Sequence, residues 1–215
     1  WPFFFFFSFL VIFPHISCAD AFKCETNVAA KDYNNIIESV EEKYETITDF
    51  EAKFFQRSYF VGLDRTENSQ GEVFFKKPGK MRGAYHTPEE QLFVADGTSV
   101  WFYQPGLKQV TIGDFQSSFR SDMPASFLLG LSKIRDQFFV QSVCKTEKGY
   151  KISLKPKQDD GNLDKFQLLV SLDTYVPIGA EIADFGGNET TIGFIRMDIN
   201  EDVDDSSFAF QVPKG

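Results

Sequence analysis

From Phe50 to Ile112 the chain alternates short aromatic or β-branched stretches with turn signals only a few residues long. Connections that short cannot carry a parallel crossover, so neighbouring stretches must pair antiparallel. The predicted strands are Phe50–Phe60, Glu72–Lys77, Lys80–His86, Gln91–Ala95, Ser99–Tyr103 and Lys108–Ile112. Between them stand a polar turn around Asp64–Gly71, then Pro78-Gly79, Thr87-Pro88, Asp96-Gly97 and Gln104-Pro105-Gly106, all residue types that favour tight reversals.

Two helical patterns frame this meander. From Lys31 to about Thr48, Ile36, Ile37, Val40, Tyr44 and Ile47 recur at three- and four-residue spacing with acids between them, which predicts an amphipathic helix lying on a sheet. Ser121-Asp122 can start a second helix, with Pro124 in its first turn. Its body, Ala125–Ile134, is apolar on most sides and needs cover on several faces. Strands resume at Tyr150–Lys155, Lys165–Leu172, Val176–Ala183 and Thr190–Asp198, and a last one is expected at Phe208–Val212. No repeat or linker divides this part of the chain, so residues 22–215 read as one domain.

The first residues, WPFFFFFSFLVIFPHISC, have the length of a signal-peptide apolar region and fall short of a membrane span. Ala19-Asp20-Ala21 offers a cleavage site, which makes residues 1–21 a signal peptide, incomplete at its start, and the protein an exported one. Seven of the 26 Phe leave with that segment. The 19 that remain must fill a core or line an apolar cavity, since Phe has no polar handle. The net charge falls only from -9 to -8, because Asp20 is the single charge removed. That acidic balance excludes nucleic acid as a partner and opposes adhesion to anionic membranes. Cys24 and Cys144 can pair in an oxidising compartment or stay two thiols, and Cys18 would anchor the chain if it were lipidated.

Little points to chemistry. Outside the signal segment the only histidine is His86, without a nucleophile elbow, and no zinc spacing or calcium loop is present. The expectation is therefore no catalytic residue, no metal and no cofactor. Acidic clusters such as Asp159-Asp160 read as solvated turns, although an exported hydrolase with a converging carboxylate pair stays a rival reading. Asn188-Glu189-Thr190 is a formal glycosylation sequon of a kind that arises by chance.

The run GEVFFKKPGKMRGAY followed by TPEEQLFVADGTSVWFYQPGLKQVTI resembles the periplasmic outer-membrane lipoprotein carrier family, LolA. Pro88, Glu90, Gln91, Asp96, Gly97, Trp101, Tyr103, Pro105, Gln109 and Val110 fit the family's P-x-E-Q, D-G-x-x-x-W-x-Y and P-x-x-x-Q-V patterns. DMPASFLLG is similar to its loop-to-helix lid, LKPKQDDGNLDKFQLLV to its later hairpin and FAFQVPKG to its closing strand. The resemblance implies a mainly β fold with an α lid, an open antiparallel half-barrel covered by helices. It implies a periplasmic, monomeric chaperone that takes acylated lipoproteins from an inner-membrane lipoprotein-release complex to an outer-membrane lipoprotein acceptor. A related half-barrel sensor, or a membrane-anchored acceptor, would share the apolar cavity.

The same resemblance places cargo against Met81, Phe127, Leu128 and Leu129, with Lys77 as lid latch where the family commonly has Arg. Lys lacks the planar fork of Arg, so a bidentate clasp is not available to it. Gly83 stands where the family has Trp, which leaves room or marks a bulge. For Lys77 a solvated strand end is the competing reading, and for the three lid residues an ordinary helix–sheet core.

Overall fold

The computed structural model describes residues 23–119, 128–158 and 163–213. The predicted signal peptide, Cys18, Phe127 and most of the predicted second helix lie outside these residues. Among the described residues twelve strands form one antiparallel sheet. In chain order they are β1 (Thr26–Asn27), β2 (Asp49–Phe60), β3 (Arg65–Lys76), β4 (Lys80–Thr87), β5 (Gln91–Asp96), β6 (Ser99–Gln104) and β7 (Gln109–Asp114). Then follow β8 (Phe138–Lys145), β9 (Gly149–Pro156), β10 (Leu163–Ser171), β11 (Pro177–Asp184) and β12 (Glu189–Ile199).

The spatial order, β1-β8-β9-β10-β11-β12-β2-β3-β4-β5-β6-β7, explains the architecture. The chain starts at one edge and crosses the sheet as helix α1 (Tyr33–Glu45) to enter its middle at β2. It meanders outward to β7; the return segment, residues 115–137, leads on to β8, from which the chain meanders back until β12 meets β2. The sheet is open, ending at β7 on one side and β1 on the other.

α1 forms where the apolar spacing predicted it, a few residues shorter at each end. Ile36, Ile37, Val40 and Tyr44 are buried, and they join Phe50, Phe75, Phe138, Val143 and Ile152 in one core between helix and sheet. The described part of the return segment includes α2 (Phe115–Ser118), capped by Asp114 accepting from the Ser117 N–H at 2.9 Å, and α3 (Ile134–Gln137). The helix expected to run to Ile134 does not. Gly130 has φ +70°, a conformation that ends a helix, and extended backbone at Lys133 precedes α3. Glu41, buried in α1, accepts from the Arg135 backbone N–H at 2.8 Å and from its Nε at 2.7 Å, fixing α3 to α1.

Three other expectations are corrected. The polar stretch 64–71 is mostly strand. β3 begins at Arg65 because its polar side chains pair with Gln56, Arg57 and Ser58 of β2, and the reversal itself is the short 3-10 turn Val61–Leu63 closed by left-handed Asp64. β8 was not anticipated, although Phe138, Val143 and Cys144 supply its buried face. Phe208–Val212 is not a strand. A 3-10 turn, Asp205–Phe208, packs on β4 and β5 and leads into irregular chain. Side chains hold it there: Asp205 bridges Lys76 at 3.0 Å and Lys80 at 2.9 Å, and Lys76 Nζ donates to the Val203 carbonyl at 2.6 Å. Phe208 is fully buried outside the main core, as is Val94, and the Phe210 ring lies 6.0 Å from Trp101 and from Tyr103.

Cys24 and Cys144 form a disulfide with a Cα–Cα distance of 5.7 Å, which settles the two readings in favour of the bridge. It ties the short β1 to β8, whose Cys144 pairs with Asn27. In a chain-entropy view, closing a separation of 120 residues is the kind of link that restrains the unfolded chain most.

Candidate functional site

Strand alternation sends one set of side chains to the face crossed by α1, and there they leave space. The cavity is about 410 Å³, within the range of small-ligand sites. Its walls are apolar: Phe54 of β2, Val73 and Phe75 of β3, Phe93 of β5, Phe166 of β10 and Phe194 of β12. The rings meet edge to face, Phe54 with Tyr85 at 5.0 Å and Phe93 with Phe119 at 5.8 Å, an arrangement that fixes the walls without polar groups.

One glycine makes the wall possible. At Gly71 a β-carbon would lie 2.1 Å from the Ala84 carbonyl oxygen and 2.9 Å from the Phe54 ring, so only glycine permits this approach. Gly83 differs. A β-carbon there would meet nothing closer than Met81 Cε at 3.8 Å, so its missing side chain is open cavity.

The cavity is graded in polarity. Gln56, Glu67, Ser69, Thr87, Glu89 and Gln91 line it toward the ends of β2 and β4 and the starts of β3 and β5. There the Tyr85 hydroxyl donates to Gln56 Oε1 at 3.0 Å and Gln56 Nε2 donates to Ser58 Oγ at 3.0 Å. Burial raises the Tyr85 pKa, so the hydroxyl stays a donor. A ligand with an apolar tail and a polar head would match this gradient.

The candidate residues separate into groups. Met81 and Leu128 line the cavity. Leu129 does not; only 1% exposed, it packs in the core beside α1. Phe127 lies outside the described residues. Lys77, just past the end of β3, is half-buried, and its Nζ donates to the Tyr44 carbonyl, in α1 and not in the return segment. That Nζ also sits 3.7 Å from the centre of the Tyr44 ring, while its stem packs against Gly130. The Tyr44 hydroxyl in turn donates to the Leu128 carbonyl, and the Gly79 N–H donates to the Leu129 carbonyl at 3.1 Å. Burial pushes the Lys77 ammonium down to about 8, against the opposing pull of Glu45.

Phe93, Phe102, Phe119, Phe166 and Phe194 also line the site, and sequence reasoning did not single them out. Phe93, Phe102, Phe166 and Phe194 stand singly in β5, β6, β10 and β12 and Phe119 follows α2, so no spacing within one element marked them. His86 stands exposed at the end of β4, 4.0 Å from Glu72. Among the described residues no three His, Cys, Asp or Glu side chains converge as a metal would need. None of the described helices is long and apolar enough to cross a membrane.

Fold and cavity together define a class: open antiparallel half-barrels that enclose an apolar site beneath crossing helices. The family model described as "Outer membrane lipoprotein carrier protein LolA" matches residues 45–211. A relative from Azotobacter vinelandii named outer-membrane lipoprotein carrier protein is 34% identical over 167 residues, covering 76% of this chain and 78% of that one. One of the same name from Pseudomonas syringae pv. syringae is 33% identical over 177 residues, covering 81% of each. Among solved structures, an uncharacterized conserved protein from Thermus thermophilus shares the fold, with TM-score 0.53 at 12% identity over 83% of this chain and 93% of that one. The chain belongs to the LolA family of outer-membrane lipoprotein carriers.

Proposed function

We propose that the chain is a periplasmic chaperone that holds the acyl chains of lipoproteins in its cavity, collecting them at the inner membrane and handing them to an acceptor at the outer membrane. On this reading residues 1–21 are removed on export and residues 22–215 act as one monomeric unit. The observation that carries it is the aromatic cavity of about 410 Å³ with a polar end, in a member of the carrier family. Each CH₂ moved from water into that lining contributes about 0.8 kcal/mol, which favours the cavity over water for an acyl chain. Met81 and Leu128 contact the cargo, Met81 as a pliable wall. Lys77 ties the end of β3 to α1, Tyr44 ties α1 to Leu128, and together they set how readily that side yields. The reading is non-catalytic, because the cargo is carried unchanged.

The test supplies membranes bearing an acylated lipoprotein and its release machinery, with and without the purified protein. Soluble one-to-one complexes are expected only when the protein is present. Lipoprotein that stays in the membrane pellet in both samples would overturn the proposal.

A further inference from the structure

Two hairpin tips are built alike. Val61-Gly62-Leu63 and Pro105-Gly106-Leu107 each form a 3-10 turn after extended backbone, and each is closed by a left-handed polar residue, Asp64 at φ 45° and Lys108 at φ 51°. Neither glycine is there to avoid a clash, since a β-carbon at Gly62 or Gly106 would meet nothing within 4 Å. Both turns hold their leucine in water: Leu63 is 73% exposed and Leu107 65%. A third tip, between β11 and β12, exposes Phe185. It is fastened to the first, because Asn188 Oδ1 accepts from the Val61 N–H at 3.1 Å while Asn188 Nδ2 donates to Asp184 at 2.8 Å.

The register puts all three tips at the same end of the sheet. Tyr59 pairs with Thr66 and with Glu189, and Tyr103 pairs with Leu92 beside the β4–β5 turn. This is also the end where Gln56, Glu67, Ser69, Thr87 and Glu89 form the polar mouth of the cavity. The two leucine turns are four strand spacings apart, about 19 Å along the sheet. The apolar groups therefore form separate prongs around the mouth, with acids between them, in place of one continuous patch.

We infer that these tips are a docking collar for a zwitterionic lipid surface, seating the cavity mouth against a bilayer so that an acyl chain passes between the two without crossing water. Separate convex prongs suit a fluid surface, which closes around each one. Charge selects the kind of surface. The hairpins that form the three tips and the polar mouth, joining β2–β3, β4–β5, β6–β7 and β11–β12, carry Asp64, Glu67, Glu89, Glu90, Asp184 and Glu189 against Arg65 and Lys108 within three residues of their turns. Such a rim is repelled by anionic headgroups and accepted by headgroups whose outermost group is an ammonium. The purpose assigned to the collar rests on the carrier reading; its measurement does not.

The experiment is flotation of the purified protein with vesicles of phosphatidylcholine and phosphatidylethanolamine, and with the same vesicles made equimolar in phosphatidylglycerol. Wild type is expected to float with the first and markedly less with the second. L63S and L107S should each lower partition about tenfold and L63W should raise it, with the urea unfolding midpoint of each variant unchanged from wild type. Affinity for a soluble acylated peptide should be unchanged in all three, which separates the collar from the cavity. Wild type failing to float, as it would if the tips served a protein groove or a second copy of the chain, would overturn the inference. So would tighter binding to the anionic vesicles, or equal partition of wild type and the two serine variants.

Discussion

Filling the cavity from Gly83 would test its role without touching the fold. Gly83 lies in β4 between Val73 and Phe93, its φ is ordinary, and the nearest atoms to a β-carbon are 3.8 and 4.0 Å away. Leucine there would project four carbons into space otherwise open to cargo. Displacing about four methylene groups at about 0.8 kcal/mol each costs about 3 kcal/mol of binding, or roughly 200-fold in affinity. Alanine displaces one and should cost roughly fourfold. The folded state should not suffer, because removing a glycine from a strand interior is favourable by up to about 1 kcal/mol. Titration of a fluorescent acylated peptide measures the first effect and urea denaturation the second. If Gly83→Leu bound within twofold of wild type while folding normally, cargo would not occupy this space and the assignment of the cavity would be wrong.

The latch, the disulfide and the buried acid each give a further expectation. The Lys77 ammonium is held near 8, below its unfolded value, so the unfolded chain binds more protons between about pH 8 and 10. The Lys77 contribution to stability should rise with pH across that window, and Lys77→Met should flatten the rise in denaturation curves; an unchanged slope would show that the amine is solvated. Lys77→Leu should also change the rate of cargo hand-off more than it changes stability, measured by transfer to acceptor-bearing membranes, and equal rates would remove Lys77 from the mechanism. Replacing Cys24 and Cys144, 120 residues apart, by Ser should lower stability by up to about 4.9 kcal/mol, read from urea midpoints, while a loss below a few tenths would mean the unfolded chain is not restrained by the link. Glu41→Ala should cost about 2 kcal/mol by leaving the Arg135 N–H and Nε without their acceptor; a neutral effect in the same assay would mean that water replaces the carboxylate.

The meander was legible because Pro-Gly, Asp-Gly and Pro-Gly turns punctuate it, and α1 because its apolar residues keep helical spacing. The reversal between β2 and β3 was misplaced because composition marks 64–71 as polar, whereas cross-strand pairing decides which polar residues extend. β8 escaped because Phe139 and Ser142 dilute its pattern, and the last strand was expected from Phe208-Ala209-Phe210 although burial there comes from packing across strands, not from a ladder. At the site, the resemblance pointed to Leu128 and Leu129 alike and gave no means to tell Leu128, which lines the cavity, from Leu129, one residue on and buried. That distinction depends on how the chain turns at Gly130, which is a matter of three dimensions. The matched leucine turns were likewise invisible as a pair until the register put them at one end.

The most direct measurement is native mass spectrometry of the protein mixed with a purified lipoprotein in its acylated form and with the same polypeptide after its acyl chains are removed. The account predicts a one-to-one complex with the acylated form alone, weakened by Gly83→Leu. Equal binding of both forms, or binding of neither, would contradict it.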